Sequence, residues 1–290
     1  MVKIRVLGKY SPYPKAGGSC SGYWVTSGDN GILLDCGPGV ISSFGRFEPL
    51  SRISTVILSH LHFDHISDFL ALRYVAVPDQ RYKELPKKIR VFAPAKPERE
   101  FSLLSYKEGV EAVAIPGGLT NSRHIINYGC SGGSSDFGDL ADSIYSRDSG
   151  DPVVSQNHSG PLMLNGFKVS FYQVEHSGPS YAVRLEDESG AVLAYSGDTR
   201  PCKGLLEAAK GADLFLCEAS AIEADAEFAK PGHLTARQAG EIAGDAGVSR
   251  LLLTHIWPLY DETVLLKECQ DVFKKSEIVV EGKEYTVLVP

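Results

Sequence analysis

Ten residues, Ser59-His60-Leu61-His62-Phe63-Asp64-His65-Ile66-Ser67-Asp68, hold three of the eight histidines of a 290-residue chain, with two aspartates beside them. Imidazoles and carboxylates at this density can hold metal. In extended chain, residues two apart point the same way, so His60 and His62 can grip one ion. Asp64 and His65, past a turn, can grip a neighbour. Nitrogen and oxygen donors together suit Zn²⁺, with Mn²⁺ or Fe as alternatives. A structural zinc site more often uses cysteine and closes all four positions; histidine with aspartate leaves room for water. Leu61 and Phe63 read as packing spacers. Asp68 reads as the N-cap of a following helix rather than as a ligand.

Three further candidates stand at the ends of apolar, alternating segments: His176 after "FKVSFYQVE", Asp198 after "AVLAYSG" and His255 after "LLLT". Each alone is a weak signal. Strand ends converge on one edge of a sheet, so all seven residues can meet there. The elements that must place them are legible. Val2 to Leu7 alternates as a strand. Tyr23 to Thr26 and Ile32 to Asp35 read as paired strands around the turn Ser27 to Gly31. "STVILSH" is a short buried strand, and Ile89 to Ala93 is another. After Asp68 a helix should present Phe69, Leu70, Leu72 and Tyr74 on one face. "YAVRLE", "ADLFLCEAS" and Arg250 to Leu253 are strands. Thr235 opens a helix with Gln238 three residues on, as in a capping box, and Gly247 at its end. Asp261 opens a last helix ending near Lys274, and "YTVLV" is a final strand. The mix predicts an α/β fold of two sheets with helices outside. No glycine-rich dinucleotide fingerprint or Walker loop is present.

Apolar residues make up 43% of the chain, enough for a substantial core. The formal net charge is -7, and Lys87-Lys88 is the longest basic run, which disfavours broad capture of nucleic acid. The six cysteines (Cys20, Cys36, Cys130, Cys202, Cys217, Cys269) form no C-x-x-C pair. The N-terminus reads as a strand rather than a secretory signal, and no apolar run reaches membrane-spanning length. A cytoplasmic protein with reduced thiols and no membrane association is expected. Residues 115 to 160 are rich in Gly, Ser, Asp and Asn with poor periodicity, and read as an insertion within one domain spanning 1–290. His124 and His158, inside it, read as surface histidines.

H-x-H-x-D-H, followed by a His, an Asp and a His at later strand ends, resembles the metallo-β-lactamase superfamily over nearly the whole chain. "YSGDTRPC", "CEAS", "GHLTARQAGEIA" and "LLLTHI" are similar to its RNase Z branch. The subgroup most resembled is the small bacterial RNase Z-related proteins, some of them cyclic-nucleotide phosphodiesterases. The resemblance implies a four-layer αββα sandwich with two divalent metal ions. One would be held by His60, His62 and His176, the other by Asp64, His65 and His255, with Asp198 bridging. Two such ions lower the pKa of a bridging water, giving a hydroxide able to attack phosphorus in line. Asp64, beside that water, counts as catalytic as well as ligating.

His233, just before the Thr235 helix, matches the histidine that protonates the leaving oxygen in the RNase Z pattern; a helix-entry residue bonded to backbone is the alternative. Glu218 is a candidate for orienting His233 or a ligand histidine, with an ordinary loop carboxylate as the alternative. Cys217 stands where that pattern commonly has His, a departure from its proton relay. True RNase Z carries a basic tRNA arm between the second His motif and the bridging Asp, and the short His176-to-Asp198 spacing leaves no room for one. The expected activity is therefore hydrolysis of a small phosphodiester such as a cyclic nucleotide, with tRNA 3′ processing as the alternative. Ester, thioester or lactone hydrolysis is permitted by such a site, but "GHLTA" is not what those families show. Oxygen reductases of this fold usually need a carboxylate where His62 stands. A non-catalytic sensing protein would be expected to lack ligands, and none is missing. RNase Z relatives often form homodimers, and the same is expected here.

Overall fold

The computed structural model describes residues 1–76, 88–115, 126–128 and 160–289, with 126–128 as backbone. The expectation of a distinct insertion at 115–160 falls almost wholly outside the described residues, as do His124, His158 and Cys130. In β1 (Val2–Gly8) the side chains of Val2, Ile4 and Val6 are buried and those of Lys3 and Arg5 only partly so, the period-two pattern of a half-buried strand. β2 (Gly22–Ser27) and β3 (Asn30–Leu34) form the expected hairpin, in register from Tyr23 opposite Leu34 to Ser27 opposite Asn30. β4 (Thr55–Ile57), β5 (Ile89–Ala93) and β6 (Val110–Ala114) extend this sheet in parallel.

The second sheet holds β7 (Ile126–Tyr128), β8 (Leu162–Leu164), β9 (Phe167–Glu175), β10 (Pro179–Glu186), β11 (Val192–Tyr195), β12 (Leu214–Glu218), β13 (Leu251–Thr254) and β14 (Ser276–Ile278). Chain order runs straight across it, from β7 at one edge to β14 at the other. The last strand, β15 (Glu284–Thr286), returns to the first sheet and pairs antiparallel with β1. Only Tyr285 and Thr286 of the expected "YTVLV" strand are in it.

Helices cover both outer faces: α1 (Val40–Phe44), α2 (Phe63–Leu72) and α3 (Glu98–Ser102) on one; α4 (Lys203–Ala209), α5 (Ala226–Ala229), α6 (Ala236–Asp245) and α7 (Glu262–Gln270) on the other. Three apolar cores define the layers. Ile4, Val25 and Leu34 meet Phe167, Val183 and Leu216 between the sheets. Leu33, Val56 and Val91 pack with Phe44, Ile66 and Phe69 under the first helical layer. Phe215, Leu251 and Leu253 pack with Leu205, Ala239 and Leu265 under the second. Each large side chain buried this way contributes about 1.5–3 kcal/mol. This is the αββα sandwich that the family resemblance implies, with the two sheets and outer helices read from the sequence pattern. Among the described residues no helix is long and apolar enough to cross a membrane.

Four local expectations are corrected. α2 begins at Phe63, not after Asp68, with His62 as its N-cap. Asp68 lies inside α2 and accepts the Ile41 backbone N–H at 3.0 Å, so it caps the start of α1 instead. Tertiary hydrogen bonds set the earlier start: Cys36 N–H donates to His65 O, and Asp68 N–H to Cys36 O. With the helix starting there, Phe63 occupies its first position and is 60% exposed rather than a packing spacer, whereas Leu61 is buried. Tyr74 lies beyond the last turn and is also exposed. α7 ends at Gln270, four residues short of Lys274, because the chain turns there to place Ser276 beside Leu251 in β14.

The expected capping box of α6 is present. The Gln238 N–H donates to Thr235 Oγ1 at 3.2 Å and the Thr235 N–H to Gln238 Oε1 at 3.0 Å. Gly247, at φ 65°, takes the left-handed conformation that follows the helix C-terminus.

Candidate metal centre

All seven candidate ligands converge at one edge of the sandwich. His60 follows β4, and His62, Asp64 and His65 occupy the N-cap and first turn of α2. His176, Asp198 and His255 follow β9, β11 and β13. Ligand atoms of His60, His62, His176 and Asp198 lie within 4.8 Å of one another, and so do those of Asp64, His65 and His255. Asp198 joins the groups. Its Oδ2 is 3.0 Å from His255 Nε2 and 3.6 Å from His60 Nε2, and its Oδ1 is 3.3 Å from His65 Nε2. His255 sits at φ 57°, a left-handed conformation costing a non-glycine residue roughly 1–3 kcal/mol; such strain gathers at functional turns.

Neighbouring groups set the imidazole tautomers. His65 Nδ1 donates to Asp35 Oδ2 at 2.8 Å, leaving Nε2 with a lone pair. His176 Nδ1 donates to Gly232 O at 2.8 Å, with the same result. A Cβ at Gly232 would come within 2.6 Å of that Nδ1, so glycine permits the approach. Ser220 Oγ donates to Glu218 Oε2 at 2.5 Å and accepts from His255 Nδ1 at 2.7 Å, which again frees Nε2. The lone pairs of His65 and His255 then face each other at 3.2 Å, and His176 Nε2 is 3.1 Å from His62 Nδ1. His60 Nε2 and Asp198 Oδ1 are buried with no hydrogen-bond partner. Buried acceptors crowded together without donors fit bound cations, and the N and O donor set fits divalent metal ions.

Electrostatics agree. Burial lowers the pKa of His60 well below the ordinary histidine value, and burial with mutual repulsion also lowers His62 and His176. These three are neutral, as ligands must be. Burial works against a charge on His65 and His255 too, but Asp198 and its neighbouring carboxylates outweigh it, raising His65 strongly and His255 to about 10. The carboxylates thus favour positive charge between those rings, and a divalent cation supplies it without the protons.

Comparisons with known proteins identify the family of the fold. Residues 16–123 match the family described as "Metallo-beta-lactamase superfamily", and residues 138–256 match "Beta-lactamase superfamily domain". The probable metallo-hydrolase YhfI of Bacillus subtilis is 28% identical over 97% of this chain and 100% of its own length. Its crystal structure superposes with a TM-score of 0.76 at 25% identity, covering 99% of this chain and 100% of YhfI. Uncharacterized protein ML1173 of Mycobacterium leprae is 32% identical over 100% of this chain and 90% of its own. A ribonuclease Z of Gemmatimonas aurantiaca is 29% identical over 97% of this chain and 94% of its own. The chain belongs to the metallo-β-lactamase superfamily. It is a metallo-hydrolase of that fold, with a histidine and aspartate cluster suited to divalent metal ions.

Around the cluster of this metallo-β-lactamase fold stand His233, Glu218 and Ser220. His233 joins neither of the two ligand groups above, though with Asp198 and His255 it makes a third set whose ligand atoms lie within 4.8 Å of one another. Its Nδ1 lies 3.2 Å from Glu218 Oε2 and 4.0 Å from Asp198 Oδ2, and its ring stacks on His255 at 5.5 Å. Its backbone N–H does bond Ala229 O, so the helix-entry role holds alongside. Burial lowers its pKa but Glu218 prevails and raises it. Glu218 contacts His233 directly and reaches His255 through Ser220. It also accepts from the Thr199 and Leu234 backbone N–H groups. Cys217 is buried on the helical side of β12, away from this network.

Sequence reasoning missed Asp35, which accepts from Ser59 N–H, Ser59 Oγ, Tyr195 OH and His65 Nδ1. It ends the strand read at Ile32 to Asp35, so the strand-end rule used for Asp198 would have found it. Ser220, and Ser11, which donates to Asp64 Oδ2 at 2.9 Å, carried no sequence signal.

Proposed function

We propose that this metallo-hydrolase is a phosphodiesterase acting on a small phosphodiester, such as a cyclic nucleotide, at a centre of two divalent ions, Zn²⁺ foremost. His60, His62 and His176 would hold one ion and Asp64, His65 and His255 the other, with Asp198 between them. When bound, such ions supply Lewis-acid charge and lower the pKa of a coordinated water. The observation that carries the reading is His233: a protonatable imidazole held by Glu218 beside the cluster, in neither of the two ligand groups assigned to the ions. An alkoxide leaves phosphorus poorly without a proton. With Nδ1 committed to Glu218, Nε2 is the nitrogen that meets the substrate. Its proton passes to the leaving oxygen as the P–O bond breaks. A pKa raised by Glu218 keeps that proton in place near neutral pH. Ester and thioester hydrolysis have less need of such an acid.

A small substrate is supported by the chain between His176 and Asp198, which contains β10 and β11 and no arm. The net charge of -7 points the same way. The test is a screen of metal-reconstituted protein on bis-p-nitrophenyl phosphate, 2′,3′- and 3′,5′-cyclic nucleotides, short RNA and pre-tRNA. Turnover of a small diester is expected. Cleavage confined to pre-tRNA, or to esters and thioesters, would replace the reading.

A further inference from the structure

A groove of about 440 Å³ opens beside His233, with Arg200, Lys230, Glu175 and Glu227 on its walls. It is contiguous with the metal centre through three residues: Arg200 stands two positions after Asp198, Glu175 directly precedes His176, and His233 lines the groove itself. A second groove of about 390 Å³, lined by His176, shares Arg200 and Glu175. Arg200 therefore lines both grooves, one of which includes His233 and the other His176.

The two cations are each paired with an exposed carboxylate. Arg200 Nε donates to Glu175 Oε2 at 2.7 Å, and its Nη2 to the same oxygen at 2.5 Å. Both prongs of the guanidinium fork fall on one oxygen, whereas the fork is shaped for two. Both side chains are about half exposed. Lys230 pairs with Glu227 at 3.2 Å across one helical turn, and both are exposed. Exposed pairs of this kind add little to stability, so exchanging a carboxylate for a phosphate group costs little. Phosphate offers the Arg200 fork two oxygens in the geometry it prefers, and carries more charge than a carboxylate.

We infer that Arg200 and Lys230 form a second-phosphate subsite, so that the preferred substrate carries a further phosphate besides the one at the metal centre. This rests on the phosphodiesterase reading for the identity of the first phosphate. It narrows the substrate class to nucleotides with two separated phosphates, and sets a plain cyclic mononucleotide among the weaker substrates. The Glu175–Arg200 pair, together with the backbone bridge between the same two residues, would also serve as a strap joining the segments after β9 and β11. The experiment must separate strap from subsite.

Metal-loaded protein is titrated calorimetrically with adenosine 5′-monophosphate and with adenosine 3′,5′-bisphosphate. Wild-type protein should bind the bisphosphate about tenfold or more tightly, the range for one or two charge-assisted hydrogen bonds. In R200Q and in K230Q that ratio should fall toward one. Metal content of each variant is measured alongside. If R200Q loses metal, Arg200 is a strap and K230Q alone decides. A wild-type ratio near one, or a ratio unchanged in K230Q with metal retained, overturns the subsite. Turnover of bis-p-nitrophenyl phosphate on the same preparation speaks only to the activity. Selective bisphosphate binding without turnover would keep the subsite and reject the phosphodiesterase.

Discussion

Asp35→Asn tests how the metal centre is built, because Asp35 is fully buried and touches no candidate metal position itself. Its Oδ1 accepts from Ser59 N–H at 2.7 Å. Its Oδ2 accepts from Ser59 Oγ at 2.9 Å, Tyr195 OH at 2.6 Å and His65 Nδ1 at 2.8 Å. Asparagine has the same shape but one acceptor oxygen and one NH₂ donor. If its oxygen stays with Ser59 N–H, the NH₂ faces His65 Nδ1, which must then accept. The ring proton moves to Nε2, the atom 3.2 Å from His255 Nε2, and the lone pair needed for a cation is lost. If the amide flips, its NH₂ meets the Ser59 N–H and two donors oppose each other in the core. Leaving a buried donor unsatisfied costs roughly 1–3 kcal/mol.

Losing the partner that orients a ligand histidine lowers metal affinity about 10- to 100-fold, or ~1.4–2.7 kcal/mol. Chelator competition with metal analysis should show the loss in one of two equivalents, the one nearest Asp64, His65 and His255. Tyr195→Phe is the control. It removes one donor to Asp35 and leaves the His65 tautomer alone, so its affinity should stay close to wild type. Two equivalents bound with wild-type affinity in Asp35→Asn would refute the tautomer reasoning.

Asp198→Ala removes both oxygens that reach His60, His65 and His255, and should lose metal and activity together; a variant retaining two equivalents by mass spectrometry would rule out a shared ligand. His233→Ala should keep its metal yet slow alkyl diesters by about 10²–10⁴-fold, with a much smaller loss on p-nitrophenyl diesters; equal losses on both would remove the acid role. Burial lowers the His233 pKa but Glu218 raises it further, so the acid is present at neutral pH and kcat should fall as pH rises through the raised pKa. Glu218→Gln removes the charge that raises it, so the alkaline limb of the pH–rate profile should move to lower pH; an unmoved limb would detach Glu218 from proton transfer.

The clustered residues were legible because alternation marks strands and strands running the same way end on a common edge, where His176, Asp198 and His255 meet the dense histidine motif. The start of α2 was not, because it is set by partners distant in sequence. Asp68 has the side chain of an N-cap, yet Cys36 has already fixed the turn at His65, so the local signal names the wrong helix. Phe63 and Tyr74 follow from the same displacement. Ser220 illustrates a deeper limit. A serine after a strand is unremarkable until β12 and β13 lie side by side and bring it to 2.7 Å from His255.

That last point bears on what metal does for the fold. His60, His62, Asp64, His65 and Asp35 come from the first sheet and its helix; His176, Asp198, His255 and Glu218 come from the second. The facing nitrogens of His65 and His255 therefore lie across the junction of the two sheets. The apolar core between the sheets holds them together away from this edge, and at the edge Tyr195 OH donates to Asp35 across the junction. Around His65 and His255 the carboxylates favour positive charge, which a cation held from both sides would supply where the two sheets are in register. Metal affinity is then also stability of the sheet-to-sheet contact, since a ligand held only by the folded chain stabilises it by RT ln(1 + [L]/Kd). The supports at Asp35 and Glu218 act on opposite sides of that contact, one orienting His65 and the other, through Ser220, orienting His255.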